Sequence, residues 1–143
     1  METGFQFEFL WADQDVLKLR IHASNGRFSA TSDLYVGIGG LAKAASKLMG
    51  FPGNLSDQRE LKLGEFGPKT AGGAVNMRFY CEGRAGRAFV ETTMESDYDG
   101  ARAENAHFFA GVEPSAVDVF VSELQRVESQ KCGAARLSVL VPA

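Results

Sequence analysis

Apolar and polar residues alternate along most of this chain, and this period of two is the feature that most restricts its fold. In the segments Val16–Ser24, Ala74–Glu82 and Arg87–Glu95, every second residue is apolar or small and most residues between them are polar. Successive side chains of a strand point to opposite faces of the sheet. Each segment therefore predicts a strand with one buried face and one polar face.

Five further segments carry the same pattern. Phe5, Phe7, Phe9 and Trp11 occupy alternate positions near the start of the chain and predict a strand with one aromatic face. The remaining predicted strands cover residues 27–36, 60–66, 103–111 and 135–141. In residues 103–111 the pattern allows either of two faces to point inward: Asn105, His107 and Phe109, or Ala106, Phe108 and Ala110.

Short turns between these segments predict hairpins. Asn25-Gly26 is a strong hairpin signal because both residues tolerate positive φ, and the glycine-bearing residues 83–86 join two strands of matching length. Strands connected by short turns pair antiparallel, and an antiparallel sheet can leave one face in solvent. We therefore expect a mainly antiparallel sheet.

Two segments show the spacing of an amphipathic helix instead. The first has an apolar stripe at Leu41, Ala44, Ala45 and Leu48, and it ends at the glycines and proline of residues 50–53. The second begins near Pro114, which suits a first helical turn. Its stripe consists of Val117, Phe120, Val121, Leu124 and Val127.

These elements predict an α+β fold, with a mainly antiparallel sheet of about six to eight strands and two helices packed on one face. The sequence contains no internal repeat and no linker long enough to divide it, so we expect a single globular domain over residues 1–143. The buried positions expected on the sheet include Leu19, Val75, Phe79 and Val90.

Composition argues against several classes of partner. The net charge is −3 and the basic residues are scattered, so we expect no nucleic-acid binding. No signal peptide and no membrane-spanning segment can be recognised, which predicts a cytoplasmic protein. Cys81 and Cys132 lack the spacing of a zinc site or a disulfide scaffold, and Cys81 is expected to be a buried free thiol.

No catalytic or metal-ligating motif is recognisable, and no cofactor is expected. Residues 37–42 fit the pattern G-x-G-x-x-A before a helix, which can bind phosphate, but the parallel strands of a dinucleotide site are missing. A flexible connection is the simpler interpretation. His22 and His107 lack a second ligand at metal-binding spacing. No residue is therefore assigned as catalytic.

The polar side of the predicted sheet is the candidate binding surface. It carries basic, aromatic and acidic side chains of the kinds enriched at interfaces. The candidate binding residues are Arg20, His22, Arg78, Tyr80, Phe89 and Glu91. The simpler alternative is a hydrated face with cross-strand ion pairs, such as Arg78 with Glu91.

Six short segments, residues 25–29, 34–36, 50–52, 60–64, 77–81 and 119–124, share a pattern of turns, strand cores and a helix stripe. Through them the chain, from the second strand through the second helix, resembles a family of small uncharacterised bacterial domains. The resemblance implies a stand-alone intracellular α+β domain of unknown function and identifies no catalytic residue.

Together, these observations favour a non-enzymatic binding module with a protein partner, for example a toxin-neutralising protein. The alternative is a small-molecule-binding protein or enzyme that uses the Gly37 to Gly40 loop, or a sheet face with His22, Arg78 and Glu91. The oligomeric state is left open.

Overall fold

Eight strands and two α helices follow one another in the residues that the computed structural model describes, which are 2–67, 72–97 and 100–141. The elements, in chain order, are β1 Gly4–Ala12, β2 Val16–Ser24, β3 Ser29–Gly37, α1 Gly40–Leu48, β4 Gln58–Gly64, β5 Ala74–Glu82, β6 Arg87–Glu95, β7 Asn105–Val112, α2 Pro114–Gln130 and β8 Ala134–Leu137. A short 3-10 turn, Gly100–Arg102, precedes β7.

The strands form two four-stranded sheets, and every strand pairing is antiparallel. Sheet A has the order β3-β2-β1-β8, and sheet B has the order β4-β5-β6-β7. The α+β class and the antiparallel pairing are confirmed. The expected single sheet is instead divided in two, because the helical connection after β3 leads into a strand that pairs with β5. Alternation shows which side of a strand is buried, but it does not show which strands are neighbours.

The order of elements repeats, although the sequence does not. Three strands, a helix and a fourth strand occur twice, and the fourth strand of each unit pairs with the first strand of the other.

Equivalent positions in the two units accept hydrogen bonds. Asp33 and Phe109 are the fifth residues of β3 and β7. The carbonyl of Asp33 accepts a hydrogen bond from the backbone N–H of Gly73 at 2.7 Å. The carbonyl of Phe109 accepts one from Nδ2 of Asn25 at 2.9 Å.

These contacts join an edge strand of each sheet to the other sheet. Ser32 on β3 adds a hydrogen bond from its hydroxyl to the carbonyl of Glu95 at 2.8 Å. The approach is so close that a β-carbon on Gly73 would overlap the Ser32 side chain and the carbonyl of Glu95. The edges of β3 and β7 are therefore partly covered within the molecule, which limits pairing with other chains there.

A single apolar core lies between the two sheets and the two helices. Phe5 of sheet A lies 6.4 Å from Phe108 of sheet B, measured between ring centroids. Phe7 meets Phe120 of α2 edge to face at 5.2 Å. The four expected core positions, Leu19, Val75, Phe79 and Val90, are fully buried. Within the described residues, neither helix is long and apolar enough to cross a membrane.

The structure resolves one ambiguity of the pattern, in β7, and corrects one prediction, that Trp11 shares a face with Phe5, Phe7 and Phe9 in β1. In β7, Phe108 and Ala110 point into the core, so His107 and Phe109 lie on the outer face. In β1, a shift in the pairing register between Phe9 and Trp11 breaks the alternation. For this reason Trp11 is 42% exposed although its aromatic neighbours at the start of the strand are buried.

Some strand ends differ from the prediction. The Asn25-Gly26 turn is a four-residue loop, because Oδ1 of Asn25 accepts hydrogen bonds from the backbone N–H groups of Arg27 and Phe28, and β3 begins only at Ser29. The last strand ends at Leu137, and Leu140 forms an isolated bridge to Gly111 of β7.

Strands β4 and β7 are likewise shifted by one or two residues from the predicted segments 60–66 and 103–111. Such shifts are expected where no strong turn residue fixes the end of a strand.

Both ends of α1 are bound by side chains from other elements. Oε1 of Glu128 on α2 accepts hydrogen bonds from the backbone N–H groups of Leu41 at 3.0 Å and Ala42 at 3.3 Å. At the other end, Nη1 of Arg59 donates to the carbonyls of Lys47 and Met49. A carboxylate at the N-terminus and a guanidinium at the C-terminus both complement the helix dipole.

We predict that Glu128→Ala lowers the free energy of unfolding by about 1–2 kcal/mol, because it removes a charged acceptor from two otherwise unpaired helix N–H groups. Urea denaturation monitored by circular dichroism measures the change. The matched control is Glu104→Gln, at an exposed carboxylate whose side chain has no partner in the described residues. Equal stability of Glu128→Ala and the wild type would contradict the role assigned to Glu128.

Candidate functional site

The six candidate binding residues lie on two different sheets. Arg20 and His22 are on the outer face of sheet A, since both belong to β2. Arg78, Tyr80, Phe89 and Glu91 are on the outer face of sheet B, on β5 and β6. The prediction that all six share one face is wrong, because the strands form two sheets and not one. The structure therefore brings four of them together and separates the other two.

On sheet A, both candidate residues are engaged with neighbouring strands. The guanidinium of Arg20 forms two hydrogen bonds with the carboxylate of Asp33, at 2.8 and 3.0 Å. The bond from Arg20 is the main cause that lowers the pKa of Asp33 below its ordinary value. His22 contacts the hydroxyl of Thr31 at 3.0 Å. These pairs satisfy one another across the strands, as expected for a hydrated sheet surface.

On sheet B, a charged network is centred on Glu91. Arg78 lies directly opposite Glu91 in the register of β5 and β6. Its Nε and Nη2 donate to Oε1 of Glu91 at 2.9 and 2.8 Å. Nε2 of His107 donates to the other oxygen, Oε2, at 2.7 Å. The predicted Arg78–Glu91 pair is present, and His107 extends it onto β7.

The same contacts shift the titration of the carboxylate. The hydrogen bond from His107, and then the one from Arg78, hold the pKa of Glu91 below its ordinary value, whereas partial burial opposes the shift. Glu91 is therefore the ionised centre of the network near neutral pH, and it orients the side chains of Arg78 and His107.

Aromatic rings surround this network. The guanidinium carbon of Arg78 lies 4.1 Å from the ring centroid of Tyr80, a cation–π geometry. Tyr80 in turn stacks on Phe89 with centroids 5.9 Å apart and planes inclined by 26°. His107 meets Phe109 edge to face at 5.1 Å. We use the name sheet B face for the set Arg78, Tyr80, Phe89, Glu91, His107 and Phe109.

A groove of about 660 Å³ adjoins the sheet B face. Phe89 and Phe109 line it on the side of the sheet, and Leu140 and Val141 line it from the C-terminal segment. Arg27 and Arg87 lie on its wall, and neither forms an ion pair within the described residues. The groove thus combines apolar side chains with two arginines and one carboxylate, that of Glu113.

Sequence analysis did not assign His107 and Phe109 to the site. The alternation in residues 103–111 left both faces of that strand open, so the outer residues could not be named. Once β6 and β7 are paired, His107 lies opposite Thr93 and diagonal to Glu91. Diagonal neighbours across a sheet are within reach of long side chains. The pairing register is therefore the signal that identifies His107.

The glycine-rich loop, metal-ligating side chains and nucleophilic side chains are the other candidates for a site. The N–H groups of Leu41 and Ala42, which follow the Gly37 to Gly40 loop, are already bound to Glu128. Within residues 2–67, 72–97 and 100–141, no three His, Cys, Asp or Glu side chains could hold a metal ion. In the same part of the chain, no Ser, Thr or Cys side chain hydrogen-bonds to His107. Cys81 and Cys132 are free thiols, and Cys81 is only partly buried.

Comparison of the chain with protein-family models, curated proteins and solved structures gave no match in any of the three. The resemblance to small bacterial domains stays a prediction.

The lowered pKa of Glu91 predicts how the stability depends on pH. A carboxyl with a depressed folded-state pKa stabilises the fold above its ordinary pKa, and this contribution is lost as the pH falls through the folded-state value. Between about pH 5 and pH 3, the free energy of unfolding of Glu91→Gln should therefore decline less steeply than that of the wild type. Urea denaturation at a series of pH values measures both slopes.

The control for this experiment is Glu82→Gln. Glu82 lies on the neighbouring strand β5, is exposed and has no side-chain partner within the described residues. Its variant should follow the wild-type pH profile. Parallel profiles for Glu91→Gln and the wild type would show that the network does not depress the pKa of Glu91.

Proposed function

We propose that this chain is a binding module that recognises another protein through the sheet B face and the adjoining groove. The observation that supports the proposal best is the ordered set of aromatic and charged side chains around Glu91, set beside an apolar groove of about 660 Å³. The proposal also includes a bacterial cytoplasmic setting, which derives from composition and the family resemblance.

The composition of the sheet B face supports protein recognition. Tyrosine, arginine and phenylalanine are enriched at protein interfaces, and tyrosine and arginine are frequent among the residues that dominate binding energy. Phe109 is 46% exposed, although it is a large apolar side chain. Covering such a ring with a partner would remove apolar surface from water.

The charged network lowers the cost of binding. Arg78 and His107 are already fixed on Glu91 and on neighbouring rings in the free protein. Long side chains usually lose rotamer freedom when a partner docks, and each immobilised chain costs about 0.5–1.5 kcal/mol. A network formed in advance avoids part of that cost. The network around Glu91 also leaves the outer sides of the aromatic rings and of the Arg78 guanidinium available to a partner.

The groove indicates the chemistry of the partner. Its apolar lining from Phe109, Leu140 and Val141 suits an aliphatic or aromatic side chain. Arg27 and Arg87 form no ion pair within the described residues, and Glu113 is the carboxylate that lines the groove with them, so positive charge is in excess there. Electrostatic complementarity therefore favours a partner segment with an apolar residue flanked by aspartate or glutamate.

Affinity capture with the tagged full-length chain, followed by purification of one stoichiometric partner, tests the proposal. Isothermal titration calorimetry then compares the wild type with Phe109→Ser. We expect the variant to bind about 30-fold more weakly, as is typical when a central interface residue worth about 2 kcal/mol is truncated. Thermal melting would establish that the variant is folded.

The matched control is Val119→Ser. Val119 is 56% exposed and apolar, but it lies on α2 and not on sheet B. This variant should bind the partner as tightly as the wild type. The absence of any stoichiometric partner, or equal affinity of Phe109→Ser and the wild type, would refute the proposed surface.

A further inference from the structure

A second cavity lies on another part of the molecule, between α1 and β4. Its volume is about 350 Å³. Its chemistry is set by Tyr35 on β3, by Lys43 and Lys47 on α1, and by Lys62 and Glu65 in and after β4. Gly37 and Gly40, from the glycine-rich loop noted in the sequence, complete one wall.

The three lysines of this cavity are not neutralised within the protein. Lys43, Lys47 and Lys62 are all exposed, and within the described residues none of them forms an ion pair. Lys43 and Lys47 are four residues apart on one helix, where like charges repel. Glu65 is the one carboxylate among the lining residues. The cavity thus has an excess of positive charge, although the whole chain carries a net charge of −3.

This arrangement suits an anion with more than one negative charge. Lysine ammonium groups are compact point charges that bind phosphate from several directions. The helix N-terminus is not the binding element here, because Glu128 already occupies the N–H groups of Leu41 and Ala42. Binding would instead depend on the lysine side chains, and Tyr35 is the aromatic residue among those that line the cavity.

We propose that this cavity is a binding site for a small organic phosphate or diphosphate. Its volume is at the lower end of the range for small-molecule sites, about 300–1,000 Å³. The site is independent of the sheet B face, and neither proposal needs the other. The sequence also allowed a small-molecule-binding protein, and this cavity is where such a ligand would bind. The Gly37 to Gly40 loop forms part of its lining, and the lysines would bind the anion.

The chain contains its own reporter for this site. Trp11 is the single tryptophan, and its ring meets that of Tyr35 edge to face at a centroid distance of 6.0 Å. The Nζ atom of Lys18 lies 5.5 Å from the same Tyr35 ring. A ligand that contacts Tyr35 should therefore change the fluorescence of Trp11.

The test is a titration of the full chain with inorganic pyrophosphate at constant ionic strength, followed by Trp11 fluorescence and by calorimetry. The triple variant Lys43→Gln, Lys47→Gln and Lys62→Gln should bind at least about tenfold more weakly, since it removes three positive charges at residues that line the cavity. A matched triple variant, Arg84→Gln, Arg102→Gln and Lys131→Gln, changes the net charge equally at exposed positions outside the cavity. It should retain wild-type affinity.

Three outcomes would overturn the proposal. The first is that the wild type does not bind pyrophosphate at millimolar concentration. The second is that both triple variants lose affinity equally, which would indicate a general effect of net charge. The third is that sulfate at equal ionic strength binds as tightly as pyrophosphate, which would show that the cavity does not select phosphate chemistry. None of these results bears on partner binding by the sheet B face.

Discussion

The packing of two four-stranded sheets around one core is the constraint on which the rest of this structure depends. Each sheet buries one face against the other sheet and the helices, as the contact between Phe5 and Phe108 shows. The edge strands β3 and β7 are each tied to the opposite sheet by a hydrogen bond to the carbonyl of their fifth residue. Any change that separates the sheets would expose the core and these edges together.

This packing also determines what each sheet presents to solvent. On sheet A, cross-strand partners such as Arg20 and Asp33 satisfy one another. On sheet B, Glu91 gathers Arg78 and His107, and rings surround them on either side. Both outer faces derive from the same alternating pattern, and both carry ion pairs and rings, since Trp11, Tyr35 and Lys18 pack together on sheet A. The proposed function rests on the groove that adjoins the sheet B face.

The contact between Glu128 and helix α1 affects both the stability of the helix and its capacity to bind phosphate at its N-terminus. The carboxylate of Glu128 binds the N-terminal N–H groups that a glycine-rich loop could otherwise offer to phosphate. This contact links the two helices and stabilises α1. It also leaves the lysines of the neighbouring cavity, and not the helix dipole, as the source of positive potential there.

Sequence alone could predict the elements but not their neighbours. The hairpin of β5 and β6 has the predicted bounds, because two regular runs flank a short glycine turn. The division into two sheets could not be predicted, since alternation does not show that β4 pairs with β5 and not with β3, or that β8 pairs with β1 from the other end of the chain. The candidate site, too, could be predicted only where it depends on neighbouring strands of one hairpin. The local pairing of Arg78 with Glu91 was predictable, whereas His107 required the register of β7.

The most direct test of the account is solvent accessibility measured along sheet B. Paramagnetic relaxation by a soluble gadolinium chelate can be recorded by NMR for the side chains of β5 and β6. The account predicts strong relaxation at Tyr80 and Phe89 and weak relaxation at Met77, Phe79 and Val90, which alternate with them. Equal protection of both sets would mean that the sheet B face is covered, and it would contradict the central claim.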